Sequence, residues 1–216
     1  RSLMVQLRAE LSESITADYT FDYNKQKQRP PFAQLVGVNR NGDPRDIFDP
    51  GSVSYIGAAP LNLYANPRRQ NTASINGDVY ERSRAYGHAL TLTAELGSAT
   101  LKSITAYRNL KWADGLDLDG SPLDIAFTQR ITDYDAFSQE LQLTGQALSD
   151  KLDYVLGAFY FKEKAETLGP QQFFGLFGPF GNYFQSDYGS HTKAFALYTQ
   201  LDYKLTQALK LTLGGR

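Results

Sequence analysis

The most constraining feature of this chain is a strict two-residue alternation that repeats in long runs on either side of short turns. It is clearest near the end. Phe195, Leu197, Thr199, Leu201, Tyr203 and Leu205 occupy one parity, while Ala196, Tyr198, Gln200, Asp202 and Lys204 occupy the other. After Thr206, Gln207 and Ala208, the residues Leu209, Leu211 and Leu213 return to the first parity, with Lys210 and Thr212 on the second. Such a pattern belongs to an antiparallel hairpin with one apolar face, since a helix would repeat at three and four residues. The first run reaches about ten residues, against a mode of about five or six in soluble sheets, and about ten tilted residues cross a bilayer's hydrocarbon core.

The same texture recurs upstream. Leu3 to Leu11 reads as a strand, and Ile15, Ala17, Tyr19, Phe21 and Tyr23 alternate cleanly with polar partners. Tyr86 to Leu96 and Leu101 to Tyr107 form a further pair, with Lys102 and Arg108 assigned to the wet side because charge near the bilayer midplane costs about 2–4 kcal/mol. Trp112 closes that strand and is expected at a membrane boundary. Phe137 to Thr144 is a strand with Leu141 and Leu143 on its apolar side. In the strand 152–164, Asp153 and Glu163 share parity with Val155, Gly157, Phe159 and Phe161, so that set is expected to face inward.

The count is about eight strands, with short turns at 12–14, 97–99, 145–151 and 206–208 and irregular segments at 25–84, 113–130 and 165–191. Short and long connections alternate. An all-β, antiparallel up-and-down transmembrane barrel requires this, with short periplasmic turns and long outer loops; a soluble sandwich has no reason for it.

Bulk properties agree. A net charge of −1 over 216 residues argues against nucleic acid as a partner. The absence of cysteine excludes disulfides and thiolate metal sites. No apolar run is long enough for a membrane helix. Mean hydropathy is negative, as it can be when only alternate residues meet lipid. Arg1 is not a start residue and no signal segment leads the chain, so an internal piece or processed product is expected.

Four stretches resemble the mid-barrel of TonB-dependent outer-membrane receptors: Leu101-Lys-Ser-Ile-Thr-Ala-Tyr-Arg108, Phe137-Ser-Gln-Glu-Leu-Gln-Leu-Thr144, Leu156-Gly-Ala-Phe-Tyr-Phe161 followed by Glu163, and Leu211-Thr-Leu-Gly-Gly-Arg216. The resemblance implies that residues 1–216 are part of a barrel of about 22 strands, without the plug domain and the remaining strands. It also implies a non-enzymatic role: energised uptake of a ferric siderophore or similar scarce ligand across the bacterial outer membrane. TonB and its inner-membrane complex would act through the missing plug, and outer-membrane lipid and lipopolysaccharide would surround the wall. No cofactor is implied. Two rivals stand beside it, a complete small eight-stranded barrel closed by its first and last strands, acting as adhesin or anchor, and a soluble β-sandwich carbohydrate-binding module.

The ligand candidates are Phe173, Phe174, Phe177, Phe180, Tyr183 and Phe184, with Tyr188 in the same aromatic segment, and the pair Arg68 and Arg69. Rings stack on planar ligands, and guanidinium forks bind anionic oxygens. Ring-on-ring packing and an exposed basic pair are the plainer alternatives. Asp43, Asp46 and Asp49 with Asn39 and Asn41 lack the spacing of a calcium loop. His88 and His191 are the only histidines. No serine–histidine–aspartate set, metal cluster or phosphate loop appears, so catalysis is not expected.

Overall fold

The computed structural model describes residues 1–37 and 61–216. These residues hold eight strands: β1 (Ser2–Ser12), β2 (Ile15–Gln28), β3 (Tyr80–Glu95), β4 (Ala99–Asp117), β5 (Ala126–Ala147), β6 (Leu152–Phe173), β7 (Asn182–Lys204) and β8 (Lys210–Gly215). They form one antiparallel sheet in sequence order. β1 and β8 are its two edges and do not pair with each other. That open sheet excludes a closed eight-stranded barrel, and the absence of a second sheet among the described residues excludes the sandwich.

Register joins the alternating strands into two continuous faces. Leu7, Tyr19, Leu90, Thr105, Gln139, Tyr160 and Phe195 follow one another across the sheet as cross-strand partners. So do Ala17, Leu92, Ser103, Leu141, Ala158 and Leu197. This is the apolar face, and it is the open one: Leu7, Leu141, Leu197 and Phe195 are 61%, 46%, 62% and 69% exposed. Among the described residues the buried apolar side chains are Val79, Ile125 and Ala136. So large an uncovered apolar surface, over so small a core, marks a face that meets another apolar surface.

The other face carries the polar set. In β3, Gly87, Ala89, Thr91 and Thr93 are buried or half-buried while His88, Leu90 and Leu92 are exposed, as in a sheet that curves toward its polar side. Thr20, Asp22, Arg108, Tyr134, Ser138 and Phe161 line a hollow of about 300 Å³ there. Parity in β6 is resolved by its neighbours. Gly157 lies between Gln142 and Tyr198, and Phe161 between Ser138 and Ala194, so Val155, Gly157, Phe159 and Phe161 are on the polar face.

Rings gather where the apolar face ends. His88 is 5.0 Å from Phe21, 5.8 Å from Tyr86 and 6.1 Å from Tyr19 between ring centroids, and Tyr86 is 6.1 Å from Tyr107. The Tyr19 hydroxyl and His88 Nδ1 are 2.7 Å apart. Phe137 and Tyr160 continue the row at 6.4 Å. On β7, Phe195 and Tyr203 bracket about 26 Å of strand at roughly 3.3 Å per residue. A tilt near 40° reduces that to about 20 Å, close to the roughly 25 Å apolar band of membrane barrels.

Two expectations from the sequence are corrected. The segments 25–84, 113–130 and 165–191 are not irregular throughout. β2 runs to Gln28 and β3 begins at Tyr80; β4 reaches Asp117 and β5 starts at Ala126; β6 reaches Phe173 and β7 starts at Asn182. Beyond the ring row polar residues stand at both parities, as at Glu166 and Thr167, so alternation fades while the backbone ladder continues. Pro170 interrupts that ladder only locally: the β5–β6 register skips Gln129–Arg130 against Gly169–Pro170, where the proline has no N–H to give. Trp112 is not at the boundary of the apolar face. It lies on the polar face, donates to Glu81 Oε1 at 3.3 Å, and carries the Arg130 guanidinium 4.9 Å from its ring centroid.

Candidate functional site

The strands that outlast the apolar face bring their connections together at one end. The β4–β5 turn is held by carboxylates aimed at backbone N–H groups. Asp117 Oδ1 accepts from Gly120 N (2.9 Å) and its Oδ2 from Gly77 N (3.3 Å), which ties the turn to the segment before β3. Asp119 accepts from the Ser121 and Ala126 amides at 2.9 and 3.0 Å. Burial pushes the Asp117 carboxyl up, against the pull of the Gly120 and Gly77 N–H groups. Ser121 is fully buried beneath these contacts.

The β6–β7 connection leans on this turn. Phe174 N donates to Ile125 O (2.6 Å), Leu176 N to Asp124 O (3.0 Å), and Gln172 Nε2 to Asp124 Oδ2 (3.0 Å). Phe174 adopts a left-handed backbone (φ 57, ψ 38), which turns the chain into a short 3-10 segment, Gly175–Phe180. The ring of Phe177 then stacks on that of Phe174, with centroids 6.1 Å apart at 23°. Phe173 and Phe184 meet edge to face at 6.0 Å. Register puts Phe173, Phe184 and Tyr188 on the polar face and Tyr183 on the other. Tyr183 and Phe184 are 65% and 53% exposed. The side chain of Phe180 lies outside the described part of the structure. The rings thus pack in pairs and still present open surface.

Arg68 and Arg69 are exposed on a different part of this end. Asn66 Oδ1 accepts from Arg68 N at 3.0 Å, and Gln34 Nε2 donates to Arg68 O at 2.8 Å. Asn66 N in turn donates to Leu35 O at 2.8 Å. Asn39, Asn41, Asp43, Asp46 and Asp49 lie outside the described residues. His88 sits in the ring row of β3, whereas His191 on β7 lies opposite Lys164 in a groove of about 680 Å³ with Asp133, Glu166 and Asp187. Among the described residues no group of His, Cys, Asp or Glu is arranged to hold a metal ion.

Sequence reading missed a ladder of bonds on the polar face that skips a strand at a time. Arg108 Nη2 on β4 reaches Asp22 Oδ1 on β2 at 2.7 Å, passing over Gly87. A Cβ at Gly87 would lie 2.8 Å from that Asp22 oxygen and 2.9 Å from Arg108 Nη2. Tyr198 on β7 likewise donates to Glu140 on β5 over Gly157. Between directly neighbouring strands, Arg130 Nη2 pairs with Asp114 Oδ2 at 2.7 Å, and Tyr134 donates to Glu163 at 3.0 Å. A polar wall knitted in this way can face water or a polar protein surface. The available signal was a small residue with charged or aromatic neighbours of the same parity.

A family model described as TonB dependent receptor-like, beta-barrel, matches residues 7–216. The ferric yersiniabactin uptake receptor FyuA from Yersinia pestis superposes with a TM-score of 0.66 at 14% identity, over 99% of this chain and 28% of that one. The RagAB peptide importer in its closed-closed state gives 0.56 at 12% identity, over 99% and 27%. A second RagAB peptide transporter structure gives 0.52 at 12% identity, over 94% and 26%. The chain therefore spans about a quarter of the length of these neighbours. No curated protein matches it.

Proposed function

The chain belongs to the TonB-dependent receptor β-barrel family, and on that premise we propose that it is one sector of the wall of an outer-membrane receptor that imports a scarce ligand, a ferric siderophore by first choice. The carrying observation is the pairing of an exposed apolar face, bounded by rings, with a cross-linked polar face on the same eight strands. Lipid would cover the first. The second would face the plug domain, which TonB and its inner-membrane complex engage. The strand extensions hold the outer connections in place, and ligand would meet Phe173, Phe174, Phe177, Phe180 and Phe184, with Tyr183, Arg68 and Arg69 at the margin.

The iron-ligand reading draws on one neighbour, an uptake receptor for ferric yersiniabactin; RagAB imports peptides, so peptide is the comparison ligand. The test uses the full-length receptor expressed in cells. Ferric siderophore and oligopeptide uptake are measured with and without TonB, in the wild type and in a Phe174→Ala/Phe177→Ala variant. Expected are TonB-dependent siderophore uptake and, in the variant, a loss of binding of about tenfold, the scale of one or two aromatic contacts. Uptake of peptide alone would replace the ligand class. A freely soluble protein in membrane fractionation would overturn the receptor reading.

A further inference from the structure

We propose that Gly120 is the positioning residue of the aromatic surface. It lets the segment 33–35 clamp the β4–β5 turn, and that turn holds Phe174 and Phe177 in place. Treating those rings as a ligand surface rests on the receptor reading above; the clamp itself does not.

The need for a clamp begins at Phe174. Its left-handed backbone (φ 57) is one that a bulky side chain rarely adopts. Such a conformation persists where the surroundings over-determine it. The β6–β7 ladder ends one residue earlier, at the pair Phe173–Asn182. Past that pair, the β4–β5 turn takes over. Ile125 O accepts from Phe174 N, Asp124 O accepts from Leu176 N, and Asp124 Oδ2 accepts from the Gln172 side chain. The Phe174–Phe177 ring stack thus sits where this turn puts it.

The turn is in turn held by the connection between β2 and β3. Gly120 lies against the segment 33–35: a Cβ there would be 2.7 Å from Leu35 N, 2.9 Å from Gln34 C and 3.0 Å from Ala33 C. These are backbone atoms, so no rotamer change makes room. Gly120 is also left-handed (φ 67), a conformation that glycine adopts at no steric cost. The crossing segment is itself fixed. The Gln34 amide donates to Asn66 O at 2.6 Å and Arg68 O at 2.8 Å, and accepts from Gln70 N at 3.0 Å. Ser121, the residue after Gly120, has no exposed surface. Contacts therefore run without a break from 66–70 through Gln34, Gly120 and Asp124 to Phe174. Such a chain carries coupling when a change at one end is felt at the other.

The full-length receptor is spin-labelled at Pro179→Cys, in the 3-10 segment, and at Lys162→Cys on β6, and the distance between the labels is measured. One narrow distribution is expected. Gly120→Val should broaden it. Asp124→Leu should do the same, while Asp124→Asn, which keeps an acceptor for Gln172, should not. A heat-modifiable gel shift reports folding separately. Should Gly120→Val fail to fold, Gln34→Ala removes three bonds without adding bulk and should broaden the distribution in its place. A distribution already broad in the parent, or equally narrow in the folded variants, overturns the proposal. Affinity is measured with an iron(III) tris-catecholate as probe. Gly120→Val should weaken binding about tenfold, and cause no further loss in the Phe174→Ala/Phe177→Ala background, because the rings it positions are then absent. Equal losses in both backgrounds would show that Gly120 acts elsewhere and would also overturn the proposal. Wild type that binds no catecholate counts against the siderophore reading alone, and the label distances then decide the clamp.

Discussion

Two glycines show how much the polar face depends on what is missing from a side chain. A Cβ at Gly157 would lie 2.0 Å from the Tyr198 ring, far inside contact distance, because that ring lies across β6 to reach Glu140 on β5. Glycine weakens a strand by itself, but here it gives an aromatic neighbour room to cover the gap and tie three strands together. Gly157→Val should therefore displace the ring, break the bond to Glu140 and cost about 1–3 kcal/mol, the usual scale of overpacking. Gly214, whose nearest neighbour to an added Cβ is Thr199 O at 3.6 Å, should tolerate alanine. The temperature at which the folded gel form is lost, compared between the two variants of the full-length receptor, measures the difference. Equal midpoints would show that the tyrosine bridge contributes nothing.

At the scale of elements, the hairpins are longer than the alternation that reveals them. β6 and β7 remain paired from Leu152–Tyr203 out to Phe173–Asn182. Amides in 167–173 and the β6-facing amides of 182–190 should accordingly exchange with solvent as slowly as other paired strand amides, while 175–178 exchange quickly. Hydrogen exchange resolved by peptide checks this, and fast exchange throughout 165–191 would restore the irregular loop that the sequence suggests. What could be read in advance follows from the same physics. Where one face is apolar and the other polar, as at Tyr19/Thr20/Phe21 or Leu141/Gln142/Leu143, the chain carries a two-residue period. Beyond the rings polar residues stand at both parities, and Thr167, Glu166 and Gln185 carry no such period. The aromatic cluster was legible as composition. Its pairing into Phe174–Phe177 and Phe173–Phe184 was not, because it depends on the left-handed turn at Phe174 and on contacts with Asp124 and Ile125, far away in sequence. The row of cations Lys25, Arg84 and Lys111 was hidden for a related reason, since they meet only through register.

For the whole molecule, the assignment of faces decides between a membrane wall and any soluble sheet, and adjacent residues can test it. Leu141 lies in the middle of the apolar face, between Ser103 and Ala158, and is 46% exposed. Gln142, its neighbour, points to the polar face, where its amide donates to Glu140 Oε1 at 2.9 Å. In water an arginine at the half-exposed position 141 would cost little, and one at 142 little more. In a bilayer the two part sharply. Leu141→Arg puts a guanidinium near the hydrocarbon midplane at about 2–4 kcal/mol, whereas Gln142→Arg stands in a wet interior beside the Glu140 carboxylate. Folding yield into lipid vesicles, read from the heat-modifiable gel form, should fall steeply for the first variant and stay near wild type for the second. Equal yields would mean that the exposed leucines of β5 face something other than acyl chains, and the orientation of all eight strands would have to be reversed or abandoned.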